Sequence, residues 1–321
     1  MLPYVYRVTE YIDHDEHGGP DSGESINSSG LVEAACLQAI AAFAEDADVQ
    51  CLNIREPQIE FFHFGSGPST DGHGLAGLFP PDLAGFHDGA RVPVAVGLEL
   101  VRAMLRDSGV WCRLEAEGEF AVHVGDAGVY VCSIVPCIEA LARARALGLS
   151  PARADYSPYD ASFDDEPGVQ EPADEDFWAR LRSYLAAPRA ALLEENYLYN
   201  ASRWHRITAD NLDTVRAGLT PRTRLAIWPD LNPDLGHVLA GLLTRHTVEF
   251  VWENEVGLIT STIAEETRYQ ELAAHVAGAR AAASLSHYVN ERHPLFAAVL
   301  PDGDGILRAR WRTESAPSVP D

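Results

Sequence analysis

A chain of 321 residues with 46% hydrophobic residues is long enough to bury two separate cores, and its formal charge of −24 repels nucleic-acid phosphates and anionic membrane at long range. All 24 basic residues are arginine. Without lysine there is no usual Schiff base, pyridoxal-phosphate site, Walker A loop, Ser-x-x-Lys nucleophile or protein-kinase ATP lysine, since each needs an ammonium on a flexible stem.

In chain order, Pro3–Thr9 alternates as a strand. The run YIDHDEHGG at 11–19 then packs Asp13, His14, Asp15, Glu16 and His17 together. That is not the His-Glu-x-x-His spacing of a zinc helix, and Gly18-Gly19-Pro20 leave a helix no room, so a solvated acidic loop is expected. Apolar spacing predicts a helix over 31–43, followed by strands near 49–55 and 58–64 separated by Pro57, a β-α-β opening. Residues 65–93 hold seven glycines and four prolines and read as a long irregular loop. Its GSGPST start lacks both the lysine and the following helix of a phosphate cradle. Val94–Leu105 follows as a helix, 111–132 as three short strands, and about 136–147 as a helix entered by proline and left at Gly148.

Residues 154–176 carry nine acids and three prolines and read as a linker. Beyond it come a helix over 177–185, a strand near 203–207, a helix over 209–218, strand RLAIW and a helix over 234–245. Strands VEFVW and GLITSTI, an Ala-rich helix over 267–284 and a final hairpin over LFAAVLPDGDGILRARW complete the pattern. The expected fold class is α/β (mixed α+β): two lobes, each with a mixed sheet covered by helices. They would be an acidic N-terminal domain (1–153) and a C-terminal domain (177–313), joined by the acidic linker (154–176) and ending in a polar tail (314–321). Residues 111–147 and 248–284 share a strand–strand–helix pattern, with too little identity for a repeat.

The five cysteines (Cys36, Cys51, Cys112, Cys132, Cys137) are odd in number and form no Cys-x-x-Cys pair, so they read as reduced and buried. No Gly-x-Ser-x-Gly elbow is present, and no Ser-His-Asp group follows from spacing. The long loop supplies Asp71, His73, His87 and Asp88, the side chains of a divalent-metal site that activates water, with His63 read as a half-buried neighbour. DGDG at 302–305 reads as a hairpin turn rather than a calcium loop. Arg308, Arg310 and Arg312 would share one strand face, near Trp204-His205-Arg206, Arg222 and Arg224 in sequence, and could grip anions or carboxylates.

The leading expectation is a non-catalytic, cofactor-free regulatory protein, immunity- or inhibitor-like, whose acidic surface meets a basic protein partner. Asp164, Asp165 and Glu166 would serve on the acidic side, and Arg308, Arg310 and Arg312 at the C-terminal end. The first alternative is a metal-dependent hydrolase of the 65–93 loop, and the second an anion or nucleic-acid binder of the C-terminal half. No apolar run approaches the ~18 residues of a membrane span, and the start MLPYVYRVTE lacks a signal peptide's order, so a cytoplasmic location is expected.

Overall fold

The computed structural model describes residues 1–10, 30–60, 73–166, 168–186, 189–244, 247–288 and 291–313; the 13–17 cluster, His63, the GSGPST run, Asp71 and the 314–321 tail lie outside them. The chain divides into two units, one formed by Met1–Glu60 with Ser69–Asp165 and the other by the remainder. Among the described residues there are seven α-helices, and no helix is long and apolar enough to cross a membrane.

The first unit runs β1 (Tyr4–Glu10), α1 (Gly30–Asp46), β2 (Cys51–Ile59), β3 (Arg91–Pro93), α2 (Val94–Leu105), β4 (Val110–Ala116), β5 (Phe120–Gly125), β6 (Gly128–Ser133), α3 (Ile138–Ala146) and β7 (Leu149–Ala154). Its seven strands form one sheet in the order β3-β2-β4-β5-β6-β1-β7, every neighbour antiparallel. The helices lie against one face: the Tyr6 ring meets Phe43 of α1, and a Cβ on Gly97 of α2 would stand 2.8 Å from Leu52. Alternation in β4 sends Cys112 and Leu114 to that apolar side, and Trp111, Arg113 and Glu115 to the other.

One expectation changes here. Pro57 does not divide this region into separate strands, because β2 continues through a bulge between Arg55 and Gln58 with Glu56 at φ 48°. The β-α-β opening is present as β1-α1-β2, with three strands between β1 and β2 in the sheet.

The second unit runs α4 (Glu175–Leu185), β8 (Ala191–Leu198), β9 (Ala201–Ile207), α5 (Leu212–Gly218), β10 (Arg224–Pro229), α6 (Leu235–Ala240), β11 (Thr247–Glu253), β12 (Ile259–Glu265), α7 (Tyr269–His275), β13 (Ala281–Ser286) and β14 (Phe296–Val299). Asp174 starts α4 by accepting hydrogen bonds from the amides of Asp176 and Phe177. Two antiparallel sheets result, ordered β14-β10-β8-β9 and β12-β11-β13. Phe177, Trp178 and Leu181 of α4 and Leu212 of α5 bury against Leu193, Ile207 and Ile227 on one face of the larger sheet. Its other face meets the smaller sheet through Leu192, Trp204, Trp228, Val251 and Ala281. Phe250 and Trp252 on the far side of the smaller sheet pack against Leu272 of α7 and Leu235 and Val238 of α6. The unit is thus four layers: helices, sheet, sheet, helices.

This unit is also internally repetitive. The segments β8-β9-α5-β10 and β11-β12-α7-β13 follow one scheme, with the first strand central, the second on one side, and the third on the other after a helix. Because each helical connection skips the central strand, neighbours stay antiparallel, so the expected mixed sheets are replaced by antiparallel ones. Sequence identity does not reveal this repeat.

Three further differences concern particular elements. The Ala-rich helix over 267–284 stops at His275, and Ala281–Ser286 is instead β13, whose small side chains pair with β11. The final hairpin keeps only β14; residues 300–313 form no strand, so Arg308, Arg310 and Arg312 do not share a strand face. The 154–176 segment makes ordered contacts at both ends: Ser157 and Asp164 bond within the first unit, while Ala173 bonds Val299 within the second.

Candidate functional site

The long loop places its side chains against backbone. His73 is buried with Nδ1 3.1 Å from the Ser108 carbonyl, and His87 Nδ1 lies 2.9 Å from the carbonyl of Asp88. The Asp88 carboxylate accepts the Glu56 amide at 2.9 Å and faces Arg55 at 3.1 Å, which fixes the bulge of β2. Among the described residues no group of three or more His, Cys, Asp or Glu is placed to hold a metal ion. The thiols of Cys36, Cys112 and Cys132 are pushed up to about 12 chiefly by burial and are protonated at neutral pH.

On the first unit, residues 155–165 form a strap over the polar face of the sheet. Ser157 is buried and its hydroxyl lies 2.8 Å from His123 Nδ1. Arg113 reaches Asp164 at 2.6 Å and Glu56 at 2.8 Å. Tyr159 lies against Tyr130 and Trp111, and sits where a Cβ on Gly125 would overlap its ring. Burial, with a smaller push from Arg113, brings His123 down to about 4, so the imidazole is neutral; its buried Nε2 has no partner among the described residues. Facing outward, Tyr156 and Phe163 are each about half exposed, with ring centroids 5.0 Å apart. Asp155, Asp164 and Asp165 around them are exposed, as is Glu166, the next residue along the chain.

The second unit holds a charged network that the sequence pattern does not reveal. Consecutive glutamates in β8 point to opposite faces. Glu194 points between the two sheets, where Oε2 accepts Trp228 Nε1 and Arg292 Nη2 at 2.9 Å each, and Oε1 accepts Asn196 Nδ2 at 2.9 Å and the Ser202 hydroxyl at 3.1 Å. Glu249, from the central strand of the other sheet, accepts Arg292 Nη1 at 2.7 Å and the Ser261 hydroxyl at 2.8 Å; Ser261 in turn accepts Trp204 Nε1 at 3.0 Å. The Arg292 guanidinium lies 5.2 Å from the centroid of the Trp228 ring. Burial and then the Glu194 charge raise Glu249 above the ordinary carboxylate range. Burial would depress Arg292, but the two carboxylates outweigh it and raise it. Two acids inside the apolar-looking run ALLEENYL are the one signal of this network in the sequence.

Glu195, on the opposite face of β8, accepts the Thr220 amide at 2.7 Å and lies 2.8 Å from His205 Nε2. Burial alone would raise its carboxyl, but these bonds lower it. At the C-terminal end, Arg308 is held by Asp302 at 2.7 Å and by both oxygens of Asp304, so the DGDG turn supplies its counter-charge. Arg312 offers its carbonyl to Arg224 Nε at 2.7 Å, and Arg310 is half-buried. No family model, curated protein or solved structure matches this chain.

Proposed function

We propose that this protein is a non-catalytic, immunity- or inhibitor-like regulatory protein that binds a basic protein partner, with the 155–165 strap as its contact surface. The observation that carries this reading is the tilted, half-exposed ring pair Tyr156 and Phe163 set among exposed carboxylates. Aromatic rings provide contact area at little conformational cost, and surrounding acids steer a cationic partner and disfavour acidic ones. The formal charge of −24 extends that steering over the whole chain. The buried, protonated thiols also favour binding over bond-making. A metal-dependent hydrolase built on Asp71, His73, His87 and Asp88 would hold its ion through the Nε2 atoms of His73 and His87, since each Nδ1 faces a backbone carbonyl.

The test is affinity capture from a lysate of the protein's own cells at low salt, followed by purified binding. A stoichiometric basic partner is expected to be retained, to leave as salt rises, and to dissociate at least ~10-fold faster from Y156A/F163A, as hot-spot truncation does. A partner that binds the double variant as tightly as the native protein would refute the strap as contact surface. Full activity of a purified hydrolase preparation that is lost on chelation would displace the binding reading altogether.

A further inference from the structure

The network between the two sheets has the form of a receptor with its ligand in place. Arg292 presents its two terminal nitrogens to two different carboxylates, Nη1 to Glu249 and Nη2 to Glu194, with the Trp228 ring beside the ion. That arrangement suits a flat, forked cation; a lysine ammonium is a point charge and cannot span both carboxylates in the same way. Two wall residues, Glu194 and Glu249, belong to the central strands of the two repeats, and Trp228 belongs to β10. The occupant comes from elsewhere, from the irregular connection between β13 and β14. On that connection Glu291, His293 and Leu295 are exposed, with backbone anchors at Glu291 and Leu295 on either side of Arg292. The Arg292 side chain keeps 16% of its surface in solvent, so the occupant is not wholly sealed in.

We propose that Glu194, Glu249 and Trp228 form a guanidinium-binding site, that Arg292 fills it as a built-in competitor, and that an arginine side chain of a basic partner takes its place. Loss of the occupant leaves two buried carboxylates facing each other without a counter-ion, so an external guanidinium that fits is bound strongly. A chain without lysine fits this division: its own cations are all guanidinium groups, and one of them serves as the plug. This site is separate from the strap, so Y156A/F163A is expected to leave it unchanged, and its failure and that of the strap reading are told apart.

The experiment uses the full chain carrying R292A, or R292Q as a host of closer shape. Each is melted in methylguanidinium chloride, methylammonium chloride and sodium chloride at matched ionic strength. Methylguanidinium is expected to raise the melting temperature saturably, at concentrations at least several-fold lower than methylammonium. The effect should vanish in R292A/E249Q and be much weaker in the native chain, where Arg292 competes. If R292A does not fold alone, recovery of cooperative folding with methylguanidinium, and not with methylammonium, is the same positive result. Indistinguishable responses to the three salts in both hosts, equal responses of native and R292A chains, or failure of both hosts to fold in any salt would overturn the proposal and leave Arg292 as a fixed structural tie.

Discussion

At the scale of single residues, burial decides what the ionisable groups can do. His123 shows the sign of the effect. Its folded pKa of about 4 lies below the ordinary 6.5, so as pH falls the unfolded chain takes up the proton first. The stability that a neutral His123 contributes is complete above about 6.5 and is lost between about 6.5 and 4, a loss of roughly 3 kcal/mol at 1.36 kcal/mol per pKa unit. Urea unfolding of the native chain and of H123N at several pH values across that window should show the extra acid sensitivity only in the native chain. Parallel slopes would mean that the imidazole is not buried neutral. Glu194 provides a second case. E194A would leave the Trp228 N–H and one side of Arg292 unpaired between the sheets, and should destabilise by about 3–5 kcal/mol, read from the tryptophan signal on denaturation.

At the scale of elements, the strap depends on one missing side chain. In G125A the new methyl would occupy the Tyr159 ring, and the cheapest relief is to lift the strap rather than to bend a central strand. Limited proteolysis should then cut within 155–165 much faster while the far-ultraviolet dichroism stays unchanged; unaltered cleavage would show that Tyr159 does not pin the segment. The strap also shows where the sequence is legible and where it is not. Periodicity locates β1, the three-strand meander β4–β6 and helices α1 to α4, because each has one buried face and a clear stop signal. It fails for β8, whose paired glutamates look solvated until Trp228, Arg292, Thr220 and His205 supply their partners. It fails for β13, where Ala281 and Ala282 suggest helix by propensity but are small residues buried beside β11. Acid content makes 154–166 resemble free chain, although Ser157, Tyr159 and Asp164 all bond or pack onto distant strands. Of the candidate site, the acids of the strap are legible; the aromatic pair between them is not, because only the turn at Ala161–Phe163 brings Tyr156 and Phe163 together.

At the scale of the whole molecule, charge sets the response to salt. A net −24 spread over 321 residues repels itself, and added ions screen that repulsion over a Debye length of about 10 Å at 0.1 M. The melting temperature is therefore expected to rise as sodium chloride goes from about 10 to 150 mM, where the screening length shortens most. A fall over the same range would mean that local ion pairs such as Arg113–Asp164 outweigh the global repulsion. Buried pairs such as Arg292–Glu194 are screened far less, so salt should leave the sandwich of the second unit largely untouched.

The position of Arg292 along the chain carries one more consequence. Both strands that supply the facing acids precede it, by 98 residues for Glu194 and 43 for Glu249. While the polypeptide is still emerging from the ribosome, the two layers can approach only by bringing like charges together in a drying gap or by protonating one of the two acids. Closure of that half of the molecule is therefore opposed until synthesis reaches residue 292, and a product terminated before it should remain open and exposed to proteases.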